Sequence, residues 1–255
     1  MFRYEKNGIN IAHKLRRASD PQDDFGRHMH NFFEVLYLVK GDVTYNVESA
    51  KRKLYPGDVV VVAPGLYHFA EVNDDAPYER YTLKFQENLI PAPVVSRLRG
   101  KGAFFGDQRK FLPLFDGMET SYNSYSEEDL YYLFLCDTLR LLVMLSSEET
   151  SSTEQNGIIR QIVGYIDDHI YSPLSLESIA SEFSFSKSYI SNVFKKEMKI
   201  PIMQYVRNKK MIRAQQLILS GEKKSYVCQK LGFDNYSTFY RNYSSVIGGI
   251  STLST

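Results

Sequence analysis

The chain has 255 residues, of which 43% are hydrophobic and 24% are charged, and it contains two cysteines. This composition excludes a disordered protein and a disulfide-stapled secreted domain, and the length predicts two domains of roughly 100 to 150 residues each. The sequence shows neither a membrane-spanning run nor a secretory signal, so we expect a cytoplasmic protein without a membrane partner. Residues 1–149 are net acidic and residues 150–255 are net basic, which indicates an anionic partner for the second half, although a solvated surface also suits this balance.

Residues 1–90 show the patterning of β-strands. Short runs such as "EVLYLV", "DVTYNV" and "DVVVVA" are rich in Val, Tyr and Leu and are separated by turn segments such as "KGD" and "YPGD". Val43, Tyr45 and Val47 alternate with polar residues, as a strand with one buried face requires. This part of the chain is therefore predicted to form a small β-barrel or sandwich.

The segment after Pro91 predicts helices that extend the β structure. We expect short helices or turns in "PAPVVSRLRG" and "FLPLFDGMET", then a long helix over 126–145 that begins at Ser126. Apolar residues cover more than half of the long helix, so two surfaces must pack on it. One is the β structure, and the other is either the rest of the same domain or the same helix of a second copy. Cys136 in this helix and Cys228 further on are expected to be buried and reduced.

The run "SSEETSSTEQNG", at 146–157, has no apolar residue and predicts a linker, after which all elements are predicted to be helical. In "SLESIASEFSFSKSYISNVFKKE" a short turn separates two amphipathic helices, which is the pattern of a helix-turn-helix unit with the small Ala180 where the helices cross. The pattern returns 48 residues later, with Cys228 in the place of Ala180. A long helix between Pro201 and Gly221 joins the two units, so this half is predicted to be an internal duplication.

The second helix of the first unit has a polar face that suits DNA. Ile190, Val193 and Phe194 fall on one side at 100° per residue, and short polar residues and lysines fall on the other. Such groups reach base edges and phosphates, and no acidic residue lies within 183–196. The exposed helix of an ordinary bundle usually mixes Glu with Lys, so DNA reading is favoured over that alternative. The predicted DNA-contact residues are Lys187, Ser188, Ser191, Asn192 and Lys195 in the first unit and Asn235, Ser237, Thr238 and Arg241 in the second.

Residues 158–250 resemble the DNA-binding domain of the AraC/XylS family of bacterial transcription regulators. The resemblance is carried by "LSLESIA", "SKSYISNVFKKE", Tyr205, "KKMIRA" and "LGFDNYSTFYRNY". It implies a sequence-specific DNA-binding regulator with two helix-turn-helix units. Lys199, Lys224, Ser244 and Ser251 depart from the family pattern, and the last three are expected to weaken the second unit, so the first unit is expected to dominate specificity.

The N-terminal half contains a histidine pattern that suits a ligand. "HMHNFFE" has the spacing H-x-H-x3-E, and a further His follows in "PGLYH". The pattern resembles the cupin barrel, and its place before the helical half matches the sensory domain of the same regulators, which implies an effector pocket without a cofactor. Three His and one Glu also complete a metal-ligand set, so a metal-dependent enzyme with an accessory helical domain is the alternative. The predicted effector-binding residues are His28, His30, Glu34, Tyr37, His68 and Arg80, and His28, His30, Glu34 and His68 are weaker candidates for a metal.

We therefore predict an α+β multidomain protein that is a ligand-responsive regulator and not an enzyme. Residues 1–149 are expected to form a cupin-like β-barrel with a helical extension that senses the effector and mediates dimerisation; 150–157 form the linker, and 158–255 form an all-α DNA-binding domain. The expected partners are double-stranded DNA, a small molecule such as a sugar, a second copy through the 126–145 helix, and RNA polymerase if the protein activates transcription. The target genes are expected to serve carbohydrate or other small-molecule metabolism. A further alternative is a regulator that acts through a protein partner instead of DNA.

Overall fold

The computed structural model describes residues 1–17, 19, 27–99, 101, 103–155 and 157–248. Ser251 and the rest of 249–255, the end of the predicted DNA-binding domain, lie outside the described residues. Within the described ranges, no helix combines the length and the apolar character that crossing a membrane requires. The strands are β1 Arg3–Lys6, β2 Ile9–Arg16, β3 Phe33–Lys40, β4 Val43–Val47, β5 Ala50–Leu54, β6 Val59–Val62, β7 His68–Val72, β8 Tyr78–Phe85, β9 Phe104–Phe105 and β10 Glu154–Gln155.

The strands form two antiparallel sheets that pack face to face. The first sheet has the order β1-β2-β8-β3-β6-β9, and the second has the order β10-β5-β4-β7. The predicted alternation is confirmed, since Val43, Tyr45 and Val47 are buried between the sheets with Leu36 and Leu38. The α+β class is also confirmed. The closed barrel is wrong, because in the described part of the chain β1 and β9 pair with no strand of the second sheet, and the result is a sandwich.

Three helices cover the outer face of the first sheet: α1 (Ala92–Arg99), α2 (Leu112–Tyr122) and α3 (Glu127–Leu145). The predicted start of the long helix is confirmed, because Ser126 Oγ accepts a hydrogen bond from the backbone N–H of Asp129. The buried side of α3 packs against the sheet and the other two helices.

The outer side of α3 carries apolar residues that the sheet does not cover. Tyr132, Cys136 and Val143 are exposed, and Leu139 between them is partly buried. The predicted burial of Cys136 is therefore wrong, because its position falls opposite the buried Phe134 and Leu141 on the helix. These four residues recur at alternating spacings of four, three and four, which is the spacing of a coiled-coil seam.

The C-terminal half is helical, as predicted, and it starts directly at the second sheet. Within the predicted linker 150–157, β10 pairs with the edge strand β5, in the register Glu154 with Lys51 and Gln155 with Ala50. The helices that follow are α4 Gly157–Asp168, α5 Leu176–Glu182, α6 Lys187–Met198, α7 Ile202–Leu219, α8 Lys224–Lys230 and α9 Tyr236–Gly248.

The pairs α5–α6 and α8–α9 are the two predicted helix-turn-helix units, and α7 joins them. Ala180 and Cys228 are both buried where the helices of each pair meet. Each turn has a residue of positive φ at the equivalent position, Ser184 at 56° and Gly232 at 71°, and these residues are 48 positions apart. The second unit has one more residue in its turn, so equivalent positions on α6 and α9 are 49 residues apart.

Candidate DNA-reading face and ligand cavity

Helix α6 presents the predicted polar face to solvent over a buried underside. Ser186 Oγ caps the helix by accepting from the N–H of Tyr189, and Ile190, Phe194 and Met198 are buried beneath it. Lys199 ends the helix in a left-handed conformation, φ 58°, where the resemblance leads one to expect Gly.

Of the residues predicted to contact DNA on this helix, all but one are exposed, and the exception, Ser191, is partly buried. We call four of these residues the reading face: Ser188, Ser191, Asn192 and Lys195.

Lys187, predicted to contact phosphate, forms an ion pair with Glu177 of α5. Both side chains are more than half exposed, at 55% and 68%. Water screens an exposed pair of this kind and it contributes little to stability, so it does not prevent Lys187 from turning to a phosphate.

The second unit presents a weaker version of this face. Ser237, Thr238 and Arg241 are exposed on α9, and Arg241 occupies the position equivalent to Asn192. Asn235 has a structural role that the sequence pattern did not indicate. Its Oδ1 accepts hydrogen bonds from the N–H groups of Ser237 at 2.8 Å and Thr238 at 3.2 Å, so it caps α9. The amide oxygen of Asn235 is therefore occupied, and its Nδ2 group alone is available to a base.

A buried lysine of α7 ties the two units together. Lys210 Nζ donates to the carbonyl of Ser172 and to the carbonyl of Leu231, each at 2.7 Å. Burial lowers the pKa of Lys210. Since Leu231 ends α8 and Ser172 precedes α5, both units are fixed to the same residue of the joining helix.

Three of the four histidines of the N-terminal half meet at the edge of the space between the two sheets. His28, His30, Glu34 and His68 each offer one ligand atom, and these four atoms lie within 4.8 Å of one another. We call this set the His–Glu cluster. His30 Nε2 lies 3.0 Å from Glu34 Oε2, and the Nζ of Lys84 lies 3.5 Å from the same oxygen.

Electrostatics in the cluster favour neutral His30 and ionised Glu34. Burial lowers the pKa of His30 to about 3, in spite of the nearby carboxylate of Glu34. Burial also opposes the charge of Glu34, but the ammonium of Lys84 favours it, and the pKa of Glu34 is well below its usual value. The cluster therefore offers imidazole and carboxylate groups in the forms that bind a cation.

A cavity of about 40 Å³ adjoins the cluster. It is lined by Glu34 and His28 together with Arg80, whose guanidinium lies 4.2 Å from the ring centre of Tyr78. Tyr37, also predicted to bind the effector, does not reach this space. Its ring centre lies 5.1 Å from that of Phe115, on the helix-covered side of the sheet. The reason is the strand period of two, which sends residues three apart, such as 34 and 37, to opposite faces.

A contact between the two halves was not among the features predicted from the sequence. Glu48, in the turn between β4 and β5 with φ 52°, accepts hydrogen bonds from Tyr205 Oη and from the N–H of Tyr67, the latter at 3.0 Å. Lys209 Nζ lies 3.2 Å from Glu48 and 2.7 Å from Asp167. We call these residues, Glu48, Asp167, Tyr205 and Lys209, the interdomain contact. The one signal in the sequence was Tyr205, which belongs to the resemblance.

Comparison with known proteins groups both halves with transcription regulators. Residues 10–134 match the family described as AraC-like ligand binding domain, and residues 179–249 match the family described as Helix-turn-helix domain. The uncharacterized HTH-type transcriptional regulator YdiP of Escherichia coli is 25% identical over 252 residues, 91% of this chain and 81% of YdiP. The multiple antibiotic resistance protein MarA of Escherichia coli is 35% identical over 88 residues, 34% of this chain and 69% of MarA. The structure of ToxT from Vibrio cholerae aligns over 92% of this chain and 93% of its own, with 10% identity and a TM-score of 0.39.

Proposed function

The chain belongs to the AraC family of transcription regulators, and from this premise we propose how its two halves make it a ligand-responsive DNA-binding protein. Residues 158–255 bind DNA, residues 1–149 bind a small effector at the His–Glu cluster and Arg80, and residues 150–157 connect the two. We propose no enzymatic activity for this chain: the His–Glu cluster binds the effector and does not catalyse a reaction.

The observation that carries this proposal is the exposed reading face on α6, held over an apolar underside. Asn192 and Lys195 project into solvent, while Ile190 and Phe194 below them are fully buried. A helix with an exposed polar face, held in place by its buried apolar side, can enter the major groove. Asn192 can then contact the edge of a base pair and Lys195 can bind a phosphate. The repeat of this arrangement on α9, anchored through Lys210, supports binding to two successive major grooves about 34 Å apart.

The effector acts through the interdomain contact. Tyr205 lies between the halves: its ring centre is 6.2 Å from that of Tyr67 in the N-terminal half and 5.2 Å from that of Phe194 beneath the reading face. A ligand that binds one arrangement of these residues more tightly than another shifts the population between them, and the reading face follows.

DNA selection followed by salt-dependent binding tests the proposal. Fragments of the source genome that the full chain retains would be sequenced, and the affinity of one selected fragment would be measured from 50 to 200 mM salt. Phosphate contacts predict that log K falls linearly with log salt, with a slope of about −0.9 per contact. A flat response would instead support the alternative in which the chain acts through a protein partner.

Two further partners belong to this proposal. The seam of exposed Tyr132, Cys136 and Val143 with the partly buried Leu139 on α3 supports a homodimer through the 126–145 helix. Contact with RNA polymerase follows if the protein is an activator. The genes next to the selected fragments would test whether the targets serve carbohydrate or other small-molecule metabolism.

A further inference from the structure

The orientation of two rings in the His–Glu cluster points to the kind of ligand it binds. Nδ1 of His30 lies 2.9 Å from the carbonyl oxygen of Phe32, and Nδ1 of His68 lies 2.9 Å from that of Leu66. A carbonyl oxygen only accepts, so each Nδ1 carries the hydrogen. In neutral rings both Nε2 atoms then present lone pairs, and both face the same oxygen of Glu34, at 3.0 and 3.7 Å.

Three electron-pair donors that face one another are stabilised by a positive centre between them. A hydrogen bond from Nδ1 to a backbone carbonyl is also the usual way in which metal-binding histidines are oriented. Within the described residues, Nε2 of His68 is buried and has no hydrogen-bond partner. With His28 the donor atoms number four, all within 4.8 Å. Metal bonds of about 2.1 Å place ligand atoms about 3.4 Å apart in a tetrahedral site and up to about 4.2 Å apart in an octahedral one, so a contraction of roughly 0.6 to 1.4 Å completes the set.

The size of the adjoining cavity favours an ion over a sugar. A volume of about 40 Å³ holds about three water molecules. Pockets for small organic ligands usually measure about 300 to 1,000 Å³. A metal ion with one or two bound waters therefore fits beside the cluster, whereas a sugar fits only if the space between the sheets is repacked.

We propose that the effector of this regulator is a divalent transition-metal ion held by His28, His30, Glu34 and His68. The inference rests on the proposed function and names the class of its effector. Three imidazoles and one carboxylate favour ions such as Zn²⁺, Ni²⁺ or Fe²⁺ over Mg²⁺ and Ca²⁺, which prefer all-oxygen sites. The ion acts by occupying the site, and no reaction is required of it.

Lys84 competes with the ion for the cluster's only carboxylate. Its ammonium lies 3.5 Å from Glu34 Oε2, and its side chain is 19% exposed. It also lies 5.5 Å from the ring centre of Phe32. Binding of the ion requires Lys84 to move away from Glu34, so Lys84→Met is expected to tighten metal binding by about tenfold or more. A metal that enters elsewhere on the chain would not respond to this change.

The cluster is one residue away from the interdomain contact. His68 pairs with Val47 in the second sheet, and the neighbours of these residues, Tyr67 and Glu48, exchange two hydrogen bonds, of 2.7 and 3.0 Å. Contraction of the cluster around an ion moves His68 and hence Tyr67, which also packs on Tyr205. Metal occupancy is thereby linked to the contact that joins the two halves.

The test uses the full chain, stripped of metal by a chelator and dialysed. Calorimetric titration with ZnCl₂, NiCl₂ and MgCl₂ is expected to show one transition-metal ion per chain and no response to Mg²⁺. Affinity for a selected genomic fragment, measured with and without the ion, is expected to change by about 5- to 150-fold, the usual range of coupling between two sites. Renewed chelation should reverse the change, a readout that needs no variant.

The controls separate this site from adventitious histidine binding. Glu34→Gln and His68→Ala should abolish the transition, and His169→Gln, which alters an exposed histidine directly after α4, should leave it intact. Folding of each variant would be checked by circular dichroism. Absence of metal binding, or binding that leaves DNA affinity unchanged, would overturn the inference. In either case a selected fragment that still binds and still depends on Asn192 leaves the proposed function standing.

Discussion

Glu48 of the N-terminal half and Lys209 of α7 form a buried ion pair, with 3.2 Å between Oε1 and Nζ. Their side chains are 11% and 7% exposed, so water screens the two charges only weakly. Burial opposes the charge on Lys209, but Glu48 and Asp167 outweigh burial and raise the pKa of Lys209. Lys209 therefore remains charged at neutral pH, and the contact joins residues that are far apart in the sequence.

Lys209→Met is expected to loosen the contact between the halves. It leaves the carboxylate of Glu48 buried without its cation, a change that typically costs about 3 kcal/mol. Hydrogen exchange, followed by mass spectrometry, should become faster in the β4–β5 turn and in the first turns of α7. Lys53→Met, which removes an exposed partner of Asp42, serves as the control. Equal protection in the parent chain and Lys209→Met would show that the pair does not hold the halves together.

The reading face predicts two separable effects on DNA binding. Asn192→Ala should reduce the preference for selected over random DNA by about 1 to 3 kcal/mol, because a base contact is lost. Lys195→Ala should weaken binding to all sequences alike and reduce the salt slope by about 0.9, because a phosphate contact is lost. Competition binding with both kinds of DNA measures each effect. If both variants bind as the parent does, α6 is not the reading helix.

The capping role of Asn235 gives a third prediction. Asn235→Ala should destabilise the second unit by about 1 kcal/mol, because the first turn of α9 loses its side-chain acceptor. Asn235→Ser, which can still cap the helix, should retain most of the stability. Thermal unfolding measures both variants. Equal loss in the two variants would indicate that the amide is needed for something other than the cap.

Acid should remove part of the stability of the first sheet through Glu79. Burial opposes its charge, but hydrogen bonds from Lys40 and His13 outweigh burial and lower the pKa of Glu79. A lowered folded-state pKa stabilises the protein above the unfolded value, near pH 4.5, and that contribution is lost as pH falls through the folded value. Glu79→Gln should therefore lower unfolding free energy at pH 7 by about 1 to 2 kcal/mol. Urea unfolding from pH 7 to pH 3 should show this difference shrinking with acid; a constant difference would contradict the assignment.

The seam on α3 predicts an oxidation-sensitive dimer. If two copies pack through Tyr132, Cys136, Leu139 and Val143 about a two-fold axis near Cys136, mild oxidation should cross-link the chains. Val143→Arg should yield monomers in light scattering, because it places two charges in an apolar seam. Thr120→Arg, which places the same charge on an exposed residue of α2, serves as the control. A parent chain that stays monomeric at all concentrations would rule out this interface.

Local patterns in the sequence predicted much of this architecture. The 48-residue duplication, the start of the long helix at Ser126 and the polar side of α6 all depend on near neighbours in the chain, where helical period and capping chemistry are decisive. Tyr37 was predicted to line the effector site together with Glu34. The two residues are three positions apart on β3, and the strand period of two places them on opposite faces of the sheet.

Other features depend on distant residues and could not be inferred from local patterns. The sandwich differs from a barrel only in whether the edge strands meet. The partner of Glu48 lies on α7, more than 150 residues further along the chain, and a lone acidic residue in a turn gives no sign of it. Whether Cys136 is buried or exposed depends on which face of α3 the sheet covers.

The pairing of β10 with β5 sets a mechanical limit on signalling. One residue separates Gln155 from Gly157, where α4 begins, and a single extended residue spans no more than about 3.6 Å. The connection between the sandwich and the helical half is therefore very short. It keeps the two halves at a high effective concentration relative to each other. A large movement of the helical half would require β10 to separate from β5. Switching between active and inactive forms should therefore proceed by small rotations of the helical half against the sandwich.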